Sequence, residues 1–277
     1  MSGPSNPRMV AAGTRDRMSH RDFAEHVVVV TGASGGVGAA VAEELARRGA
    51  SVALAARRAG PLEEVARRCG DQAHAVVADV TKRDEVRRLF DEAVAKFGRV
   101  DIWINNVGRG IGRPLLEITD DDVDAMIRDN MKSVLYGMQV VTPHLQARGT
   151  GAIVNVSSLL GRTPLPPRAA YAAAKAAMMS LSEAFRIELA GSHPHLRVVV
   201  VYPGRITTDF GQNALGQRMV DSGKLPAEVL AAIGGAPQTA EEVARVVCDA
   251  ALNSRGDVYT QPNAFARVRE YLEKQPG

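Results

Sequence analysis

Apolar residues in this chain fall into short runs that alternate with stretches of helical spacing. HVVVVTG (26–32) is a β-branched run closed by glycine. VGAAVAEELARRGA (37–50) then carries Val37, Val41 and Leu45 at helical spacing, with Gly49 as a stop. SVALAA (51–56) predicts a second strand, and Pro61 opens a short helix with Leu62, Val65 and Cys69 that ends at Gly70. HAVVADV (74–80) predicts the third strand, followed by a stripe of Val86, Leu89, Phe90, Val94 and Phe97. After the fourth strand, VDIWINNVG (100–108), Thr119 and Asp122 form a capping-box pattern. One long helix carrying Val123, Ile127, Met131, Val134 and Met138 is expected there. GAIVNVSS (151–158), an Ala-rich helix through Tyr171, and LRVVVVYPG (196–204) come next. A last helix starts at the Thr239 and Glu242 capping box, and DVYT (257–260) is the seventh strand. Strands apolar on both faces and alternating with helices predict an α/β fold, a doubly wound parallel sheet of Rossmann type in three α/β/α layers. The 277 residues suffice for one such domain, expected over 23–277. Residues 1–22 are polar and rich in Gly, Pro and Ser, with no apolar run of signal-peptide length, and are expected to form a disordered extension.

Candidate chemistry concentrates between Ser157 and Lys175. AAYAAAKAAM is free of Gly and Pro and strongly helix-favouring, so Tyr171 and Lys175 share one helix face at i and i+4. A free phenol has a pKa near ~10. An ammonium at roughly 4 Å, at an effective dielectric of about 20, is worth about 4 kcal/mol, and even part of that lowers the phenol into a range suited to proton transfer. Ser158 ends a buried strand, so its hydroxyl is expected at the carboxyl edge of the sheet. Taken alone, a Tyr and a Lys four apart read as surface helix residues; the rest of the chain changes that.

The turn TGASGGVG, with Gly32, Ser34, Gly36, Val37 and Gly38, joins the first strand to the first helix. Glycines there permit a tight turn and close approach of a pyrophosphate to the helix N-terminus. At the end of the second strand, Ala56 stands in the slot where an acidic residue would hold a ribose 2′-hydroxyl, and Arg57 follows it. With no carboxylate to repel a 2′-phosphate and a guanidinium to bind it, NADP(H) is expected in preference to NAD(H).

Composition narrows the classes. The net charge of +3 and 4% aromatic content offer neither a basic stripe nor a stacking surface, so no nucleic-acid partner is expected. The pairs Arg47–Arg48, Arg67–Arg68 and Arg87–Arg88 read as solvated helix faces. Cys69 and Cys248 lack ligand-type spacing and the six histidines show no paired spacing, so neither a disulfide nor a metal site is expected. No apolar run approaches membrane-spanning length, and a cytoplasmic protein is expected.

TGASGGVG, Asp79–Val80, NNVG (105–108), Asn130, Ser158, the Tyr171–Lys175 pair and PGRITT (203–208) together resemble the short-chain dehydrogenase/reductase family, in its shorter single-domain branch, over roughly residues 25–260. The resemblance implies a catalytic tetrad of Asn130, Ser158, Tyr171 and Lys175. It implies that Asp79 contacts adenine, that Asn106 and Gly108 frame the adenosine side, and that Ile206 and Thr208 contact the nicotinamide carboxamide or its phosphate. Hydride would pass between the nicotinamide and a carbonyl or alcohol carbon. Tyr171 would act as acid or base, Ser158 would orient the oxygen, and Lys175 would lower the tyrosine pKa and hold the ribose. Asn130 would order a relay water. The chain departs from the family pattern at Val107, where alanine is usual, and at Gly35, where some NADP-preferring members carry a basic residue. The family also implies a homo-oligomer, tetramer or dimer, through the long helices.

Substrate walls are expected from RGIGRP (109–114), LLGRTPLPP (159–167) and a lid at about 209–237. The apolar content of the lid, Phe210, Leu215, Met219, Leu225, Leu230 and Ile233, suggests a hydrophobic ketone or alcohol. Arg109, Arg113, Arg162 and Arg168 could instead bind an anionic group. A catalytically idle nucleotide-sensing module on the same fold is the alternative, weakened by the presence of both Tyr171 and Lys175. A lyase or epimerase of the extended branch would carry a different glycine spacing and a larger C-terminal domain.

Overall fold

The computed structural model describes residues 22–207 and 236–274. All seven expected strands form within them: β1 (Val27–Thr31), β2 (Ser51–Ala56), β3 (Ala73–Val77), β4 (Ile102–Asn105), β5 (Gly151–Val156), β6 (Leu196–Tyr202) and β7 (Asp257–Tyr259). They make one parallel sheet in the order β3-β2-β1-β4-β5-β6-β7. The chain builds outward from β1 to β3, then returns to the other side of β1 for β4. Strand order therefore reverses at the β1/β4 pair, and the crevice beyond the carboxyl ends of these two strands is where such sheets bind ligands.

Burial on both faces explains why the strands read as continuous apolar runs. Val28 and Val30 of β1 join a core with α1 (Gly36–Arg47), α2 (Ala59–Cys69) and α7 (Ala240–Asn253). Val29 faces the opposite core, built with α3 (Arg83–Phe97), α5 (Ser133–Arg148) and α6 (Ala169–Ser192). Trp103 of β4 is fully buried in this second core. Its indole N–H donates to Asn105 Oδ1, Asn105 donates to Asn155, and Asn155 to Ser182, so the polar groups buried there are paired. Both capping boxes are present, Thr119–Asp122 and Thr239–Glu242.

Three expectations change. The long helix before β5 is divided into α4 (Asp120–Ile127), a π turn at Arg128–Lys132, and α5. The wider turn rotates α4 relative to α5, and Val123, read as part of one apolar stripe, is exposed. A further helix, α8 (Ala264–Glu273), follows β7 and buries Ala264 and Val268 against Val200 and Tyr202. The third change concerns Arg48, which is not a solvated residue. It is buried, and its guanidinium meets Glu44 of α1, Asp249 of α7 and Asp22. Arg47, Arg67 and Arg68 do lie at the surface.

Cys69 and Cys248 are free. Among the described residues, no three His, Cys, Asp or Glu side chains are grouped to hold a metal ion, and no helix is long and apolar enough to cross a membrane. The extension at 1–22, apart from Asp22, and the lid at about 209–237, apart from Ala236 and Pro237, lie outside the described residues, as does Thr208.

Candidate active site

The site begins where β5 ends. Ser158 leaves the strand in extended conformation and its hydroxyl accepts from Leu160 N at 3.2 Å, starting a single helical turn over Leu159–Gly161. Gly161 packs tightly on α6: a Cβ there would lie 3.2 Å from the Lys175 backbone and 2.8 Å from Met179 Sδ. The turn is thereby held against the helix, and the Ser158 and Tyr171 hydroxyls share a hydrogen bond.

Tyr171 and Lys175 project from one face of α6, as the i, i+4 spacing requires, but neither is a surface residue. Lys175 is 3% exposed, its Nζ donates to Val156 O at 3.0 Å, and it lies 5.9 Å from the Tyr171 ring centroid. Asn130 sits in the π turn with 0% exposure. Its Nδ2 donates to Arg109 O at 2.9 Å and Met126 O at 3.1 Å, and its Oδ1 accepts from Arg109 N at 3.1 Å. Gly108 lies between the two groups. A Cβ on it would fall 3.0 Å from Asn130 Oδ1 and 3.1 Å from Lys175 Nζ, so a larger residue would push them apart. Asn130, Ser158, Tyr171 and Lys175 thus converge on one end of the sheet from a π turn, a strand end and a helix.

The electrostatics differ from the sequence expectation. Burial pushes the Tyr171 phenol up to about 12, opposed by its bond with Ser158 and by the positive charge of Arg168. Burial also pulls the Lys175 ammonium down to about 8. The effect of burial on the phenol outweighs any lowering by Lys175. Titrating at about 8, Lys175 has lost its proton well before a phenol at about 12 ionises, and at lower pH its ammonium is directed at a main-chain carbonyl.

The glycine turn follows β1, separated from β5 by β4, with Gly32 at φ 70°. Gly38 allows no side chain at all, since a Cβ would sit 2.2 Å from Gly32 O and 2.5 Å from Asn106 Nδ2. Asn106 braces the turn, its N donating to Thr31 Oγ1 at 3.0 Å and its Nδ2 to Thr31 O at 3.2 Å. Unlike α4 and α7, α1 has no capping side chain and no acidic residue in its first turn. Its first N–H groups therefore suit an anion, and the cradle formed with Ser34, Gly36 and Val37 fits a dinucleotide pyrophosphate.

Around this cradle, Arg57 is exposed just beyond β2, and its charge helps hold the Asp79 carboxyl below its usual range. Burial of Asp79 opposes this, while its bonds to the Thr81 hydroxyl and N–H support it. Val80 is buried beside it. Arg58, which the sequence reading passed over, donates to Ser34 O and Oγ at 3.2 Å and reaches within 3.5 Å of a Cβ placed on Gly35. A guanidinium thus stands beside Gly35, carried by the residue that leads into α2. The only signal for it was the second arginine of the ARR run. Ile206, just after β6, pairs with Gln238 in an isolated bridge.

Residues 26–218 match the short chain dehydrogenase family. The oxidoreductase YxnA of Bacillus subtilis is 31% identical over 256 residues, covering 91% of this chain and 70% of that protein. The chain belongs to the short-chain dehydrogenase/reductase family and is an oxidoreductase of that type. Among solved structures, a short chain dehydrogenase/reductase from Burkholderia phymatum in complex with NAD is similar at a TM-score of 0.79 and 27% identity, over 92% of this chain and 97% of that one. An alcohol dehydrogenase from the archaeon Thermococcus sibiricus, complexed with 5-hydroxy-NADP, is similar at 0.70 and 27% identity, over 84% and 95% respectively.

Proposed function

We propose that this protein is an NADP(H)-preferring carbonyl reductase, interconverting a ketone and an alcohol on a substrate with a hydrophobic body. The observation that carries the reading is the hydrogen-bonded Ser158–Tyr171 pair standing over a buried Lys175 at the carboxyl end of the sheet. A bound nicotinamide supplies the hydride. Tyr171, protonated at neutral pH, gives the proton on its Oη to the carbonyl oxygen as negative charge develops there. Ser158 hydrogen-bonds the same oxygen and orients it. Lys175, close to neutral-pH titration, holds the ribose and returns a proton toward Tyr171, with Asn130 ordering a relay water through the second acceptor site of its Oδ1. A phenol protonated at neutral pH is in the form that carbonyl reduction requires.

The remaining assignments belong to the same reading. Arg57, with Arg58 beside it, binds the 2′-phosphate; Asp79 and Val80 face adenine. Asn106 and Gly108 border the adenosine, and Ile206 and Thr208 the nicotinamide. Domain limits of 23–277, a substrate lid at about 209–237, a cytoplasmic location and a dimer or tetramer complete it. Exposed Leu115, Leu116 and Ile187 support self-association, which light scattering would measure.

The test is Tyr171→Phe. Fluorescence titration should give unchanged NADPH affinity, and turnover across a ketone panel should fall at least about 100-fold. Wild-type turnover by the variant would overturn the assignment.

A further inference from the structure

Four arginines lie on or beside the loops expected to wall the substrate; Arg113 and Arg162 are closely paired with carboxylates, and Arg109 lies near Asp129, which Arg128 holds at 2.9 Å. Arg113 Nε lies 3.0 Å from Asp122, Arg162 Nη2 2.5 Å from Asp257, and Arg109 Nη1 3.9 Å from Asp129. The Arg162 pair is reinforced by Tyr202 and Arg186, which also bond Asp257. Arg168 differs. Its Nη1 donates to a neutral main-chain carbonyl, Ile111 O, at 3.3 Å, and no carboxylate among the described residues pairs with it. It is half-buried, where an uncompensated charge costs more than at the open surface.

Its location matters as much as its charge. Arg168 immediately precedes α6 and stands three residues before Tyr171, so the two share the first turn of the helix. Its contact with Ile111 brings the guanidinium to the loop opposite, where Ile111, Leu160 and Tyr171 form an apolar cluster. The charge of Arg168 reaches the phenol strongly enough to oppose the effect of burial there. A substrate carbonyl set against the Tyr171 hydroxyl would lie within reach of this cation, with half-buried Leu160 as an apolar neighbour.

Resting on the carbonyl-reductase reading, we propose that Arg168 is a substrate-recognition residue, and that the substrate is an apolar ketone or aldehyde carrying an anionic group, a carboxylate or a phosphate ester, which Arg168 binds.

The test compares three aldehydes of one shape with NADPH: 4-carboxybenzaldehyde, its methyl ester, and 4-formylphenyl phosphate. Wild-type kcat/KM should favour an anionic member over the ester at least tenfold, and which anion is preferred distinguishes carboxylate from phosphate ester. In Arg168→Met this ratio should fall to within about twofold, and Arg168→Lys should restore part of it. Because the measure is a ratio, any general effect of the variant on turnover or folding cancels. Wild-type turnover with no anion preference, or a preference that survives in Arg168→Met, would overturn the assignment. Absence of turnover on all three would count against the reductase reading instead. Arg168 is then judged by calorimetric titration with benzoate and with inorganic phosphate in saturating NADPH. Binding of either anion weakened at least tenfold in Arg168→Met supports the assignment, and equal or absent binding of both in the wild type and the variant refutes it.

Discussion

Lys175 should make the protein less stable than it could be, and by an amount that depends on pH. Burial moves its ammonium from 10.5 to about 8. At about 1.4 kcal/mol per pKa unit this displacement is worth about 3 kcal/mol. The folded state binds the proton more weakly than the unfolded chain. Between about pH 8 and pH 10.5 the unfolded chain therefore carries more protons, and stability rises with pH. Below pH 8 the cost is present in full. Lys175→Met removes it, but also removes the donor to the Val156 carbonyl, a loss of about 1 kcal/mol. The net gain at pH 7 is then about 2 kcal/mol, or roughly 4–8 °C in Tm for a domain of this size. Thermal melts of both proteins should show the variant higher at pH 6–8 and the gap closing toward pH 10, while turnover is lost. Comparing variant with wild type at each pH cancels titration of the other groups. A gap that stays flat from pH 6 to 10, or a variant less stable at pH 7, would refute the reasoning.

Other outcomes follow from single contacts. Gly38→Ala forces a Cβ to within 2.2 Å of Gly32 O, and should cost at least about 2 kcal/mol in a urea melt and abolish nucleotide binding in a fluorescence titration. Arg48→Met leaves Glu44 and Asp249 without their shared cation; since Asp249 is partly solvated, the loss should be about 2–4 kcal/mol by urea melt, and a loss under about 0.5 kcal/mol would show the cluster to be a surface network after all. NADPH should bind more tightly than NADH, with the difference falling at least about tenfold in Arg57→Ala combined with Arg58→Ala. Equal binding of the two nucleotides by the wild type would remove the phosphate role.

Much of this molecule is carried by local pattern. Seven strands, both capping boxes and the glycine turn are set by short-range physics, namely alternation of apolar runs with helical stripes, side chains that satisfy helix N–H groups, and a φ of 70° at Gly32. The Tyr171–Lys175 pairing is equally local, because four residues of helix fix the shared face whatever surrounds it. What lay beyond the sequence is everything that depends on which distant surfaces meet. The π turn at Asn130 arises where the side chain grips Arg109 across the loop, and no helical spacing shows it. Arg48 and Arg47 are indistinguishable in sequence, yet only Arg48 faces α7, 201 residues away. The rise of the phenol pKa and the fall of the ammonium pKa were not legible in the sequence for the same reason. The i, i+4 spacing brings the two groups near each other, but their burial is set by β5, the π turn and the Gly108 loop closing over them, and desolvation outweighs the attraction that spacing alone suggests.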